Sequence, residues 1–385
     1  MPSSATPDPR DVAGVPPPHP APRRGAGRYV VLLALVVLAA AAWSGLWLYA
    51  ARTTEDAIAG WRAREAAAGR IHACADQTLG GFPFRIEISC TAADSRFQNL
   101  TPPLQLTVDG VHVAAQIYQP TLLIAEFSGP LTASETGRPA SLSIAWQLAQ
   151  MSLRGTPAAP ERVSLALDQP VVNDLAGGTA SLVSRADRME LHGRIAEGSA
   201  FDNPVIETVL RLSGASFPGW HALAVPAIDA DVSARLRGLR DFAPKPWAAR
   251  FREIQAADGS IEITEARVAQ GETVAIGSGT LQLNAAGRLE GELRLTVAGL
   301  EPFLRTIGIE RSAPVDRLAG ALDRFMPGLG AAARAQAGAG VIAGLNLIGE
   351  QTTLEGRKAV AVPLRLTNGA IYLGPLLLGH APALF

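Results

Sequence analysis

The sequence predicts a mainly β protein of the α+β class. An N-terminal transmembrane helix precedes an elongated antiparallel β-meander, a curved sheet against which a few helices pack. Two observations predict this architecture. Val30–Ala50 is a run of 21 residues without a charged side chain. From Ile71 onward, apolar and polar residues alternate in short stretches separated by turn signals, which is typical of strands with one buried face.

The N-terminal region divides into a tail and an anchor. Residues 1–28 contain eight of the 28 prolines and few large apolar side chains, so they predict a disordered tail. Residues 29–51 are long enough to cross the roughly 30 Å hydrocarbon layer of a bilayer as a helix. The chain before this anchor carries Arg23, Arg24 and Arg28. This bias favours a cytoplasmic N-terminus, with the rest of the chain across the membrane.

Aromatic residues support the anchor, although a second interpretation stays open. Trp43, Trp47 and Tyr49 lie where the far interface of the bilayer is expected, and amphipathic rings favour that position. The alternative is a signal peptide that is cleaved after the small residues Ala39–Ala42. In both interpretations the domain that follows is exported.

Composition limits the partners of the exported domain. With 34 basic and 35 acidic residues, the chain lacks the excess of positive charge that nucleic-acid binding requires, and we expect no nucleic-acid partner. Aromatic residues make up only 5% of the chain, so the core should consist of leucine, valine, isoleucine and alanine. We expect a β-rich region at 52–238 and a second one, with three helices, at 239–385. The sheet should continue from one region into the other.

Cys74 and Cys90 are the only cysteines, and their surroundings predict a disulfide. Alternation over Phe84–Cys90 predicts a strand whose buried face carries Cys90, and Gly80-Gly81 can turn the chain back towards Cys74. An even, closely spaced pair in an oxidising compartment usually forms a disulfide. A redox pair, half of a metal site with His72, and two unpaired buried thiols are the alternatives.

The remaining elements follow from periodicity. A helix is predicted over Thr53–Gly69, with Thr54 as its cap. Strands and turns are predicted after it, in this order: strands around Leu104–Val108, Val163–Leu167 and Ile206–Leu212, and turns at Asp109-Gly110, Ser128-Gly129-Pro130, Gly177-Gly178 and Ser213-Gly214.

The C-terminal region mixes helices and strands. Apolar residues at helical spacing predict a helix over Lys245–Ala257. Strands are predicted at Ile261–Ile263, Val274–Leu283, Leu289–Val297, Val360–Leu366 and Ala370–Leu373, the last two joined by a hairpin turn at Thr367-Asn368-Gly369. Two further helices are predicted at Leu300–Ile307 and Ser312–Met326, and the alanine- and glycine-rich segment Gly328–Gly344 is ambiguous.

Motifs that carry chemistry are sparse. Gly277-Ser278-Gly279 lacks the frame of a nucleophile elbow and lies within an alternating stretch, so it predicts a bulge in a strand. Gly328-Leu329-Gly330 follows a predicted helix, whereas a dinucleotide-binding loop follows a strand. The six histidines are scattered along the chain. We therefore expect no catalytic residue, no bound metal and no cofactor, and a protein that is not an enzyme.

Several motifs in order carry a resemblance. An N-terminal anchor, a short helix with Trp61, the motif GFPFR at Gly81–Arg85 and the closing segment Asn368–Pro382 resemble an uncharacterised family, and so does Gly259–Leu300. That family, a domain of unknown function, consists of single-pass envelope proteins of alphaproteobacteria. The resemblance implies a bacterial inner-membrane protein with a periplasmic, β-rich domain, and it implies no particular activity or cofactor. A more distant resemblance is to AsmA-like envelope proteins, which shield lipid in a β-groove.

Two functions are consistent with these features. In the first, the apolar sheet face is incompletely covered and binds or shields lipid. The lipid-facing side chains would then be Leu281 and Leu283, opposite Leu293, Leu295 and Val297. In the second, the face is fully covered and the protein is a structural or assembly scaffold for envelope proteins. The expected partners are thus the inner membrane, through Val30–Ala50, together with lipid or envelope proteins.

Overall fold

The computed structural model describes residues 26–100, 102–157, 159–218, 227–243, 245–299, 349–374 and 376–385. The chain divides into two compact units, Met1–Tyr49 and Ala50–Phe385. Residues 1–25 of the predicted N-terminal tail, the two predicted helices Leu300–Ile307 and Ser312–Met326, and the segment Gly328–Gly344 lie outside the described residues. The last three residues of the predicted tail, 26–28, are helical instead.

The first helix, α1, is a single element of 42 residues, Ala26–Ala67. Its span Gly27–Ala67 has a mean hydropathy of 2.3 in its most apolar window, and it is long and apolar enough to cross a membrane. The predicted anchor and the predicted helix after it are therefore one continuous helix. The sequence predicted Thr54 as a helix cap, and this prediction is wrong. The Thr54 hydroxyl donates to the Ala50 carbonyl (2.8 Å) within the continuous helix.

The rest of the described chain forms strands and one short helix, α2. Their bounds are β1 Arg70–Ala73, β2 Asp76–Gly80, β3 Arg85–Phe97, β4 Leu104–Gln116, β5 Gln119–Glu135, β6 Leu142–Ala145, β7 Leu148–Thr156, β8 Ala159–Asp168, β9 Val171–Asp174, β10 Ser181–Arg185, β11 Arg188–Ser199, β12 Asp202–Ala215, β13 Ile228–Leu236, α2 Trp247–Ala256, β14 Ser260–Gln270, β15 Thr273–Leu283, β16 Leu289–Ala298, β17 Glu350–Leu354, β18 Arg357–Thr367, β19 Ala370–Leu373 and β20 Leu376–His380.

These strands form one antiparallel sheet, which confirms the predicted fold class. The main order is β3-β4-β5-β7-β8-β11-β12-β13-β14-β15-β16-β18-β19-β20, an almost uninterrupted meander. Both β1 and β2 pair with one edge of β3, and β17 and β19 share one edge of β18. Because β13 pairs with β14, the sheet runs continuously across residue 238.

Three of the four predicted turns are wrong, because the strands continue through them. Asp109-Gly110, Ser128-Gly129-Pro130 and Ser213-Gly214 lie inside β4, β5 and β12, where the pairing register shifts by a bulge. Only Gly177-Gly178 turns the chain, between β9 and β10. Glycine and proline mark an irregular backbone, and a bulge within a long strand uses the same residue types as a turn.

These bulges belong to a line of irregularities that crosses neighbouring strands. The breaks between β6 and β7, between β8 and β9, and between β10 and β11 lie side by side. Hydrogen bonds bridge them, from Gln147 N to Asp168 O, from Gln169 N to Asp187 O and from Asp187 N to Ser213 O, each 2.9 Å long. Each pair of short strands is therefore one long strand with a kink.

The C-terminal strands and α2 agree with prediction. Helix α2 lies within the predicted span Lys245–Ala257, and its buried residue is Ile254. The predicted hairpin joins β18 to β19, and both Asn368 (φ 49°) and Gly369 (φ 81°) have the positive φ that a type I′ turn requires. The most buried side chains of the described chain include Val297, Val362 and Leu373 of β16, β18 and β19, which are 0–1% exposed.

Candidate apolar binding face

One face of the sheet carries a continuous row of apolar residues that crosses its strands. Residues that lie directly opposite each other on neighbouring strands point to the same face. The pairing register therefore defines a central row from β2 to β18. In strand order it consists of Leu79, Ile88, Val113, Ala125, Met151, Leu165, Leu191, Leu210, Val232, Ala266, Gly277, Leu295 and Val362.

Two flanking rows lie on the same face, two residues away along each strand and three residues away across the bulge of β14. We call the three rows together the apolar face. One flanking row is Ile86, Ala115, Leu123, Leu153, Val163, Gly193, Thr208, Ala234, Ile263, Gly279, Leu293, Leu364 and Leu373. The other is Cys90, Val111, Phe127, Ala149, Leu167, Met189, Leu212, Ala230, Val268, Ala275, Val297 and Val360. Thr208 is the one polar side chain among them.

Burial varies along the apolar face. At its C-terminal end Val297 and Val362 are 0% and 1% exposed, whereas Leu191 on β11 and Val268 on β14 are 41% and 37% exposed. Most other members on β7–β13 are half-buried. The face is thus packed at β16–β18 and partly open towards solvent on β11–β14.

The residues that the sequence predicted to face lipid lie on this same face, but partly in its packed region. Leu281 and Val297 are buried, and Leu283, Leu293 and Leu295 are half-buried. Their predicted pairing needs a correction: Leu281 lies opposite Gly291 and Leu283 opposite Leu289, and the three β16 residues lie opposite Gly279, Gly277 and Ala275. The sequence did not single out the more exposed members, Leu191 and Val268. Their strands, β11 and β14, show the same alternation of apolar and polar residues as the packed strands.

Gly277 and Gly279 leave room for leucines of the next strand. A Cβ at Gly277 would lie 2.6 Å from Leu295 Cδ2, and one at Gly279 would lie 2.2 Å from the Glu292 carbonyl. Ser278, between them, is exposed on the opposite face. The predicted bulge lies on the neighbouring strand instead, because β15 pairs regularly with β16 and the register shift is in β14.

The opposite face of the sheet is charged. Arg194 and Arg235 form ion pairs with Glu207 of 2.5 Å and 2.6 Å. The hydrogen bonds from Arg235 and Arg194 hold the pKa of the Glu207 carboxyl below its usual value, and the bond from Arg235 has the larger effect on that pKa. A hydrogen bond from Arg188 similarly lowers the pKa of Glu190. These carboxylates stay ionised at neutral pH, so the sheet has one apolar face and one charged face.

Helix α2 covers a cleft at the edge of the apolar face. The cleft has a volume of about 370 Å³, and its lining includes Leu236, Phe251, Leu281 and Leu283. The helix and the segment that leads into it are held by ion pairs, since the Glu253 carboxylate accepts from Lys245 (2.6 Å) and from Arg250 (2.7 Å). The cleft therefore extends the apolar face under a fixed helix.

Cys74 and Cys90 are joined as a disulfide in the structure, with their Cα atoms 5.5 Å apart. Arg62 of α1 donates to Gln77 Oε1 (2.5 Å) and contacts Cys74 Sγ (3.4 Å). Cys90 is buried on β3, as the strand pattern predicted. Phe84 is not buried, because β3 begins only at Arg85 and the Phe84 ring lies in the preceding turn.

The two phenylalanine rings of the GFPFR motif lie outside the core. Phe82 and Phe84 are 58% and 60% exposed. The chain turns at Gly81, whose carbonyl accepts from Arg85 N (2.9 Å). The Arg85 guanidinium pairs with Glu87 (3.0 Å).

A serine–histidine pair resembles part of a catalytic triad but recurs as a structural contact. His72 Nδ1 lies 2.9 Å from Ser95 Oγ, and its Nε2 lies 3.7 Å from Glu65. The same 2.9 Å contact joins His112 to Ser89, another directly opposite pair on neighbouring strands. Within the described ranges, histidine, cysteine and carboxylate side chains form no group of three that could hold a metal.

Comparison with known proteins places the chain in a family. The family model DUF2125, described as an uncharacterized protein conserved in bacteria, matches residues 47–382, and the chain belongs to this family. No curated protein and no solved structure matches the chain. The family membership confirms the resemblance to an uncharacterised bacterial family.

Proposed function

We propose that this member of DUF2125 is a non-enzymatic protein of the bacterial cell envelope. It is anchored in the inner membrane by α1, has its N-terminus in the cytoplasm and exposes its sheet to the periplasm. There the apolar face binds or shields lipid. The alphaproteobacterial origin and the AsmA-like resemblance inferred from the sequence fit this proposal.

Two features support the location. Helix α1 is apolar enough to span a bilayer, and its preceding arginines favour a cytoplasmic N-terminus. The sheet carries a pair of cysteines at disulfide distance, and disulfides persist mainly in oxidising compartments such as the periplasm.

The partly open apolar face is the observation that carries the lipid-binding proposal. On β11–β14 this face exposes Leu191 and Val268 and leaves its other members half-buried. A face of leucine, valine, methionine and alanine provides area without directional hydrogen bonds, which matches the chemistry of an acyl chain. The cleft beneath α2 adds a partly open volume of about 370 Å³ to this face.

A scaffold for envelope proteins is the second candidate. The packed region, where Val297 and Val362 are almost fully buried, demonstrates that protein can cover part of this face. In the scaffold interpretation a partner protein covers the remainder, and lipid is never bound.

Adjacent residues on β11 allow a matched test. Leu191 belongs to the apolar face and is 41% exposed, whereas the neighbouring His192 side chain points to the charged face and is 38% exposed. Leu191→Asp introduces a carboxylate into the path of an acyl chain, and His192→Asp introduces the same group on the other face. Lipids that co-purify with each full-length protein from detergent are identified and counted by mass spectrometry.

We expect lipid to co-purify with the parent protein and with His192→Asp, and to be largely lost from Leu191→Asp while the fold is kept. Because Leu191 is already partly exposed, the substitution should cost only about 1–2 kcal/mol of stability. Absence of lipid from the parent protein, or equal lipid in both variants, would favour the scaffold.

A further inference from the structure

Exposed aromatic side chains collect at one end of the sheet. Apart from Trp61 on α1, the strongly exposed aromatic residues described between Ala50 and Phe385 are Phe82, Phe84, Tyr118, Phe201 and Trp247, with exposed fractions of 58–72%. All five lie in connections between strands. Such rings are usually buried, so a cluster of exposed ones indicates a contact surface.

The pairing register places these connections at the same end of the strands. Arg85 at the start of β3 pairs with Gln116 at the end of β4, next to the turn that carries Tyr118. Arg154 near the end of β7 pairs with Arg162, which pairs in turn with Arg194 near the end of β11. The turn with Phe201 follows β11, and the connection with Trp247 follows β13 at that same end.

The chain enters the sheet unit from this same end. After α1 ends, Arg70 pairs with Phe97 at the far end of β3, whereas Arg62 bonds Gln77, which lies opposite Cys90. From Arg70 to Arg62, the chain thus approaches the end of β3 that begins at Arg85. From Arg62 to Ala50 the helix rises about 18 Å. The strand covers about 17 Å from Cys90 to Arg85, so a helix that follows β3 over this distance brings Ala50 to the level of the aromatic end.

A row of arginines accompanies the aromatic rings. Arg154 and Arg162 lie directly opposite each other and are exposed, and neither forms an ion pair with a described carboxylate. Like charges directly opposite each other on neighbouring strands are unfavourable. An anionic partner that approaches this end would relieve the repulsion.

We propose that the aromatic end of the sheet, formed by Phe82, Phe84, Tyr118, Phe201 and Trp247, inserts into the headgroup region of the membrane that holds α1. Aromatic rings favour the bilayer interface, and the arginine pair suits the phosphates of anionic lipids. Insertion would seat one end of the apolar face at the lipid surface. The inference rests on the proposed membrane anchoring but not on lipid binding by the sheet.

Two tryptophan substitutions at opposite ends of the sheet test the insertion. Phe201 is at the aromatic end, and Leu100, which is 36% exposed, is in the turn between β3 and β4 at the other end. Full-length Phe201→Trp and Leu100→Trp are each reconstituted into nanodiscs of phosphatidylcholine and phosphatidylglycerol, with and without bromine on the acyl chains. The fluorescence added by each new tryptophan is the difference from the parent protein.

We expect brominated lipid to quench most of the fluorescence added by Phe201→Trp and little of that added by Leu100→Trp. Trp247 provides a second probe, because Trp247→Phe should remove a quenchable part of the parent signal. Trp146→Phe should remove an unquenched part, because Trp146 lies between β6 and β7, away from the aromatic end, where its Nε1 donates to the Phe127 carbonyl (2.9 Å). Equal quenching at both ends, or none at Phe201 and Trp247, would overturn the insertion. Failure of the parent protein to enter nanodiscs would instead refute the anchoring.

Discussion

The bond between Cys74 and Cys90 should provide a calculable part of the stability of the sheet edge. The two residues are 16 positions apart in the chain. In the chain-entropy model, a bond that closes a loop of this length stabilises the folded state by about 3 kcal/mol at 25 °C. Strands β1 and β2 contain only four and five residues, so without the bond they are held to β3 by short ladders and a few side-chain contacts, such as that between His72 and Ser95.

Urea unfolding of the full-length protein in detergent, with and without reductant, measures this contribution in an unchanged sequence. The urea dependence of the unfolding free energy is about 1–3 kcal/mol per molar in small proteins and rises with size, so for this sheet a loss of about 3 kcal/mol should lower the unfolding midpoint by up to about 1 M. The double variant Cys74→Ala/Cys90→Ala should unfold near the midpoint of the reduced parent and should not respond to reductant.

Thiol labelling completes the assay. Unreduced parent protein that is unfolded in urea should contain no reactive sulfhydryl group, and two should appear after reduction. Two labelled cysteines in unreduced protein would refute the bond. A midpoint that reductant leaves unchanged in fully oxidised protein would refute the energetic reasoning.

Further predictions concern the strand glycines, acid sensitivity and topology. Gly279→Ala should destabilise the protein strongly, since the new Cβ would lie 2.2 Å from a backbone carbonyl. The control Ser278→Ala should leave the denaturation midpoint almost unchanged, because Ser278 is exposed. Equal midpoints for the two variants would contradict the proposed packing. The hydrogen bond from Arg70 lowers the pKa of Glu65 below its ordinary value of 4.5. The stability that the Glu65–Arg70 pair gives to the folded protein is therefore complete above that pH and is lost as the pH falls through the lowered pKa. Glu65→Gln should flatten this acid limb in pH-dependent unfolding, and an unchanged limb would argue against the pair. A reporter that is active only in the periplasm should work when fused after Phe385, and recovery of a purified chain that begins near Trp43 would contradict the uncleaved anchor.

Local patterns in the sequence predicted much of the fold. The uncharged run Val30–Ala50 predicts a helix apolar enough to cross a membrane, and the alternation in β14–β16 follows from one buried face. Each residue contributes to these patterns independently of its distant partners. The hairpin at Asn368-Gly369 was also predictable, because few residues other than glycine and asparagine adopt positive φ at low cost. The same reasoning failed at Gly129-Pro130 and Ser213-Gly214, where residues that favour turns instead kink a long strand.

The candidate face depends on information that no single segment contains. The sequence by itself determined that the strands have one apolar side, since alternation follows from the backbone pleat. Only the tertiary structure decided which strands lie side by side, and hence that Leu191, Leu210 and Val232 form one row while Val297 lies in the packed region. It likewise decided that Phe84 is exposed and that the aromatic turns share one end of the sheet. The physical reason is that register and coverage arise from contacts between residues far apart in the chain, whereas periodicity records only whether each side chain is buried.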